Sequence, residues 1–351
     1  MRGTTGSPAQ GTDLRQDGHR LSIIIRARRR APSPFQGRRR NMKASGEEGQ
    51  DTQPIPAWRV WVLASRPRTL TAAVAPVLVG SALAGSMGSF KILPALAAGF
   101  CAVAIQVGTN ILNDVSDFER GADTEARLGP LRVTQAGLLP PAAVRRGAFV
   151  AFGVAALAGA YLVWAGGWPI LLAGLAAILA GIGYSVGPSP LAYNGLADLM
   201  VMIFFGFVAV CGTVYVQAGT IPGAAWLAAL GVGSTITGLL AVNNYRDWET
   251  DRAAGRHTIP AVWGPKAGLI EFGVMAALAY LAPLVMWVGG WATPWILLGF
   301  LTLPSTLGWF RFMARHKGGS LNFALAGAAR WVLLYAVAIS IGMLAPGLVG
   351  S

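Results

Sequence analysis

From about residue 70 the chain alternates long apolar stretches with short polar breaks. Each stretch runs to roughly 20 residues, the length an α-helix needs to cross a bilayer. The pattern predicts nine spans, at 70–88, 92–112, 144–165, 168–187, 197–217, 223–245, 267–288, 292–312 and 326–349. Small residues recur inside them, as in Gly174 with Gly181 and Gly231 with Gly233, and small residues let helices approach closely in lipid. The expected fold class is all-α, a multi-pass membrane protein with its transmembrane domain over residues 57–351.

Residues 1–56 differ in kind. They carry Arg28-Arg29-Arg30 and Arg38-Arg39-Arg40 among Pro, Ser, Gly and Gln, and their apolar run Leu21 to Ile25 is too short for a signal-peptide core. A disordered basic tail is expected. The abrupt change in composition makes Met42 a candidate start, with 1–41 a mis-assigned extension that mass spectrometry of the mature N-terminus would expose. A solvated arm on anionic lipid is the alternative.

Composition narrows the function. Hydrophobic residues make up 54% and charged residues 12% of 351, against about 25% charged in a soluble protein. The net charge of +13 would suggest nucleic acid, but residues 1–41 hold ten Lys/Arg against two Asp/Glu, so no nucleic-acid partner is expected. Cys101 and Cys211 lie in apolar runs, and His19, His257 and His316 are scattered, which excludes a disulfide framework and a Cys- or His-based metal cluster. Lys and Arg crowd the connections after spans 2, 6 and 8 and are absent after spans 3, 5 and 7. That asymmetry places the former, with the N-terminus, in the cytoplasm, as for a protein of the cell's inner membrane.

The acids are not scattered. Residues 57–351 hold ten Asp/Glu, and eight form two groups: Asp114, Asp117, Glu119, Asp123 and Glu125, then Asp247, Glu249 and Asp251. Asn110-x3-Asp114 matches Asn243-x3-Asp247 at an offset of 133 residues, which suggests an internal repeat whose halves face each other across a central cavity. On a helix, Asn110, Asp114 and Asp117 share one face, as do Asp247 and Asp251. Facing carboxylates repel unless a cation lies between them. Hard oxygen donors suit Mg²⁺, which binds one or two carboxylates together with phosphate oxygens. Arg120, Arg127, Arg132, Arg246, Arg252 and Arg256 interleave with the acids, the donors that take a diphosphate's remaining oxygens. A diphosphate site inside a membrane implies a lipid diphosphate. If its chain is prenyl, loss of diphosphate leaves an allylic cation, which Tyr184, Phe204, Phe205 or Tyr215 would shield. Solvated loops with surface ion pairs would explain the charges but not the repeat.

With these residues in view, Asn110-x2-Asn-Asp-x2-Asp117-x3-Gly121-x-Asp123, followed by Arg127-x-Gly-Pro-x-Arg132-Val-Thr-Gln-Ala-Gly137, resembles the UbiA superfamily of intramembrane aromatic prenyltransferases. Arg66-Pro-Arg-Thr-Leu70, Gly187-Pro-Ser-Pro-Leu-Ala-Tyr-Asn-Gly195 and Asn243-Asn-x-Arg-Asp-x3-Asp251-x3-Gly-Arg-x-Thr258 are similar to it as well. Within the superfamily the chain looks most like the menaquinone-pathway branch. The resemblance covers about 57–349. It implies nine helices around a cavity open to the bilayer, and Mg²⁺ held by Asp114, Asp117, Asp247 and Asp251. Its substrates would be polyprenyl diphosphate and 1,4-dihydroxy-2-naphthoate, giving demethylmenaquinone with loss of CO₂ and diphosphate. Asn110, Asn243, Asn194, Arg132, Arg246, Arg252 and Arg256 would bind substrate or order the loops. Tyr184 and Asp198 would lie near the acceptor, Asp198 as a base, a hydroxyl-orienting group or a cap of span 5. Glu271 reads as a helix-start acid and His257 as an interfacial residue. A sister enzyme for 4-hydroxybenzoate or homogentisate is the alternative, and a transporter the reading from another class.

Overall fold

A computed structural model describes residues 55–122 and 128–349. The expected tail falls almost wholly outside these residues, as do Asp123, Glu125 and Arg127. The described residues form helices without strands. In chain order they are α1 (Ala57–Ser65), α2 (Thr71–Ser86), α3 (Ile92–Glu119), α4 (Pro141–Gly166), α5 (Trp168–Gly183) and α6 (Ala197–Ala218), then α7 (Gly223–Ala253), α8 (Ile259–Trp263), α9 (Pro265–Val288), α10 (Pro294–Arg315) and α11 (Asn322–Val349).

Seven of the described helices are long and apolar enough to cross a membrane, α1 and α2 add one span bent by 55°, and Trp168–Gly183 is shorter. Each predicted span coincides with one of these nine. The ends differ in an informative way. Span 2 was bounded at residue 112 and span 6 at 245, where apolar character stops, yet the helices continue to Glu119 and Ala253. Asp114, Asp117 and Glu119 therefore ride on the last turns of α3, and Asp247, Glu249 and Asp251 on those of α7. The backbone hydrogen-bond ladder continues where hydropathy ends, because buried partners wait for the polar side chains.

α7 is the central post, with 78% of its most apolar window buried against 22% for α4. Its Ala- and Gly-rich face admits neighbours closely. A Cβ on Gly233 would fall 2.8 Å from the Gly206 Cα on α6. At this crossing, α6 widens into a π-helical stretch over Met202–Val208. The main core packs α2, α6, α7, α9, α10 and α11 around Trp331, Tyr335, Phe272 and Met286. The α1–α2 bend has a local cause: Arg66, just before Pro67, adopts φ 52° and ψ 69°, the left-handed region that non-glycine residues rarely occupy.

Candidate functional site

A cavity of about 980 Å³ opens among α2 to α7. Its body is apolar, walled by side chains such as Val77, Ala155, Leu162, Ile170 and Val216. Phe204 and Phe205 both reach it from the π-helical stretch, and Tyr184 reaches it from the end of α5. Charged and amide side chains gather at one end: Arg66, Asn110, Asn113, Gln106 and Arg132 on one side, Asn243, Asp247, Asp251 and Arg256 on the other. Tyr215, the fourth aromatic candidate, does not line the cavity.

On the α3 side the side chains hold one another. Asn110 donates from Nδ2 to Ser65 O and Thr69 Oγ1, each at 2.9 Å, and accepts from Gln106 at 3.3 Å. It thereby fastens the α1–α2 bend to α3. Asp114 is buried and accepts the backbone N–H groups of Val133 and Thr134 at 3.1 and 3.0 Å, so it pins the loop after α3 and points away from the cavity. Asp117 accepts Arg132 Nη2 at 2.9 Å, with side-chain exposures of 1% and 3%. Asn113 Oδ1 accepts from both Arg132 and Arg66 at 3.0 Å. Sequence reasoning passed over Asn113 and Arg66, although both sit inside quoted motifs. Only the strained backbone of Arg66 and its reach to Asn113 mark it as part of the site.

On the α7 side Arg246 is buried and faces Asp247. Its Nε donates to Asp247 Oδ1 at 2.8 Å and its Nη2 to Oδ2 at 2.5 Å, while Nη2 also reaches Asn243 and Nη1 reaches Asn322 at 2.9 Å each. Arg246 therefore orders the acids and does not enter the cavity. Asp247 and Asp251 do line it. Arg256, in the loop after α7, joins the two sides. Its Nη2 lies 2.8 Å from Asp117 Oδ2 and its Nη1 3.7 Å from Asp251 Oδ1. The acidic segments face each other as the repeat implied, and a guanidinium spans them.

Tyr193 is the third residue the sequence did not single out. Its hydroxyl donates to Asp117 Oδ1 at 3.0 Å and accepts from Arg256 Nη2 at 3.3 Å. The guanidiniums of Arg120 and Arg256 lie 5.5 and 4.6 Å from its ring centre, within cation–π range. Burial, and after it Asp117, push the Tyr193 phenol above its ordinary pKa, so it remains a donor. Burial works against the Arg256 cation, but Asp117 and then Asp251 outweigh it and hold the guanidinium above its ordinary pKa. The loop carrying Tyr193 is tied further by Arg120 to Gly187 O at 2.8 Å and by His257 N–H to Tyr193 O at 3.0 Å.

Other expected site residues stand off the cavity. Arg252 donates to Ala261 O at 2.7 Å and caps α8. Asn194 accepts from Leu196 N–H at 3.2 Å and shapes its own turn. Asp198 accepts Asn244 Nδ2 at 3.3 Å and faces Glu271. Glu271 is no helix-start acid, since α9 begins at Pro265 and Glu271 is buried in its second turn. His257 is exposed, its Nδ1 2.9 Å from Tyr193 O.

The donors that face the cavity are hard oxygens, two carboxylates and several amides, which fits Mg²⁺ completed by phosphate oxygens. Among the described residues no three His, Cys, Asp or Glu side chains converge on one point. Arg132 and Arg256 lie among the acids instead.

Membrane-length helices around an apolar cavity with a charged mouth define an intramembrane enzyme for amphiphilic substrates. The chain belongs to the UbiA prenyltransferase family, whose model matches residues 73–334, and it is a prenyltransferase. It is 34% identical over 268 residues to the 1,4-dihydroxy-2-naphthoate octaprenyltransferase of Escherichia coli, covering 75% of this chain and 83% of that one. To the Mycobacterium tuberculosis enzyme of the same name it is 33% identical over 288 residues, covering 82% and 97%. Its fold is similar to a UbiA homolog from Archaeoglobus fulgidus bound to DMAPP and Mg²⁺, with TM-score 0.58, 15% identity and coverage of 80% and 99%.

Proposed function

We propose that this protein transfers a polyprenyl group from polyprenyl diphosphate to 1,4-dihydroxy-2-naphthoate in a Mg²⁺-dependent reaction. CO₂ and diphosphate are lost and demethylmenaquinone is formed, at the cytoplasmic face of the inner membrane. The observation that carries this reading is the meeting of both acidic segments, bridged by Arg256, at the mouth of an apolar cavity. The names of the E. coli and M. tuberculosis relatives support the acceptor. The Lys/Arg asymmetry supports the orientation.

Asp247 and Asp251 face the diphosphate site, with Asn110 and Asn243 beside them. When bound, Mg²⁺ neutralises the diphosphate and makes it a better leaving group. Arg256, Arg132 and Arg66 offer guanidiniums to the oxygens that remain. Asp114 and Asp117 serve first by holding the loop and these cations in place. The apolar walls take the prenyl chain and exclude water, while Phe204, Phe205 and Tyr184 present ring faces to the developing allylic cation. The acceptor's hydroxyls make its ring nucleophilic, so the protein's task is to position it. Asp198, off the cavity and engaged by Asn244, is a positioning group in this scheme and not the base.

The test is acceptor profiling with the purified protein in lipid. A prenyl diphosphate is supplied with 1,4-dihydroxy-2-naphthoate, 4-hydroxybenzoate or homogentisate. Product is expected with the naphthoate, lost with a chelator and restored by Mg²⁺. Turnover confined to another acceptor, or unaffected by chelation, overturns the reading.

A further inference from the structure

Asp198 and Glu271 lie outside both acidic segments, and the site as described leaves Glu271 without a task. Glu271 is 7% exposed, and neither of its carboxyl oxygens has a hydrogen-bond donor. The titratable group beside it is the carboxyl of Asp198. From α7 the pair meets Asn244, whose Nδ2 donates to Asp198 Oδ1 at 3.3 Å. Tyr184, at the end of α5, is the further titratable group near Asp198. Among the described residues, no Lys, Arg or His is salt-bridged to either acid.

Ionised carboxylates only accept hydrogen bonds. Two of them face to face in a membrane interior, sharing one amide donor, would be buried charges without compensation. A single proton removes the conflict: one carboxyl donates to the other, and the acceptor keeps its bond from Asn244. Asp198 already receives Asn244, so Glu271 is the member with a proton to give.

We propose that Glu271 and Asp198 share one proton, with Glu271 the donor, and that this pair positions the cavity end of α7 through Asn244. Asn244 sits between Asn243, which lines the cavity, and Arg246, which holds Asp247. The same stretch of α7 is fastened elsewhere by the Arg246 bond to Asn322. The pair from α6 and α9 is the second fastening, and together they fix the helix end that carries half of the charged mouth.

The activity arm of the test rests on the prenyl-transfer reading; the spectroscopic arm does not. Infrared difference spectra of the full chain in lipid, without substrate, in H₂O against D₂O, should show the carbonyl stretch of a protonated carboxyl. Glu271→Gln should abolish it. Because the glutamine amide can donate to Asp198 in the same place, Glu271→Gln should keep transfer close to that of the unaltered protein. Glu271→Ala, which removes the donor, should raise KM for prenyl diphosphate about tenfold or more and leave KM for the acceptor unchanged. No protonated-carboxyl band that depends on Glu271, or a Glu271→Gln variant as impaired as Glu271→Ala, overturns the proposal. If Glu271→Ala fails to fold, Glu271→Gln and the spectrum still decide. If the unaltered protein transfers no prenyl group, the functional reading fails while the band still reports on the pair.

Discussion

Asp114 illustrates how one side chain can serve a site without facing it. Its two oxygens accept the Val133 and Thr134 N–H groups, both buried, and a buried donor left without a partner costs about 1–3 kcal/mol. Asp114→Ala should therefore loosen the loop after α3 as well as abolish transfer. Trypsin should cleave at Arg132 faster while the bundle still elutes as a folded particle, and unchanged cleavage would refute the loop-pinning role. Asp117 lies in a different setting, between Arg132 and Arg256. Asp117→Ala removes the carboxylate that the buried Arg132 and the half-buried Arg256 share, and breaking a buried ion pair typically costs about 3–5 kcal/mol, so a clear fall in thermal midpoint is expected in detergent. Tyr193→Phe keeps the ring beside Arg120 and Arg256 but removes both hydroxyl bonds. Bonds to charged groups contribute about 1.5–3 kcal/mol, so KM for prenyl diphosphate should rise about tenfold or more in steady-state assays.

At the scale of elements, close helix approach rests on particular glycines. Gly206 on α6 and Gly233 on α7 touch at a distance no side chain tolerates. Gly233→Leu should push α6 off α7, displace the π-helical stretch and move Phe204 and Phe205 with it. The expected outcome is loss of both transfer and thermal stability. A variant as stable and active as the parent would show that the crossing has slack. The long extensions of α3 and α7 beyond their apolar spans matter equally. They turn acids that hydropathy would leave in loops into side chains with a fixed helical register.

For the molecule as a whole, the cavity separates a charged mouth from an apolar body, and that polarity suits a substrate with an anionic head and a hydrocarbon tail. Gly174 lines the body and has open space where a Cβ would stand. Gly174→Phe should therefore impair long prenyl donors more than short ones. A competition assay with donors of two lengths reads this directly, and equal loss for both would remove the tail from that wall.

Nine apolar segments, most of their boundaries, and the pairing of two Asn-x3-Asp segments were legible along the chain, because span length and helical spacing are local properties. So was the residue set of the mouth, in outline. What the chain could not reveal was direction. Asn110, Asp114 and Asp117 share a helical face, yet Asn110 lines the cavity, Asp114 turns to backbone amides and Asp117 to two arginines. Arg246 and Arg256 read alike in sequence, but one grips its neighbour Asp247 and the other spans the two halves. Tyr193 and Glu271 acquire a role only from partners 76 and 73 positions away along the chain. Residue type and spacing set which groups could act together. Packing of distant segments decided which of them do, since a buried polar group must take the partner that the tertiary fold brings to it.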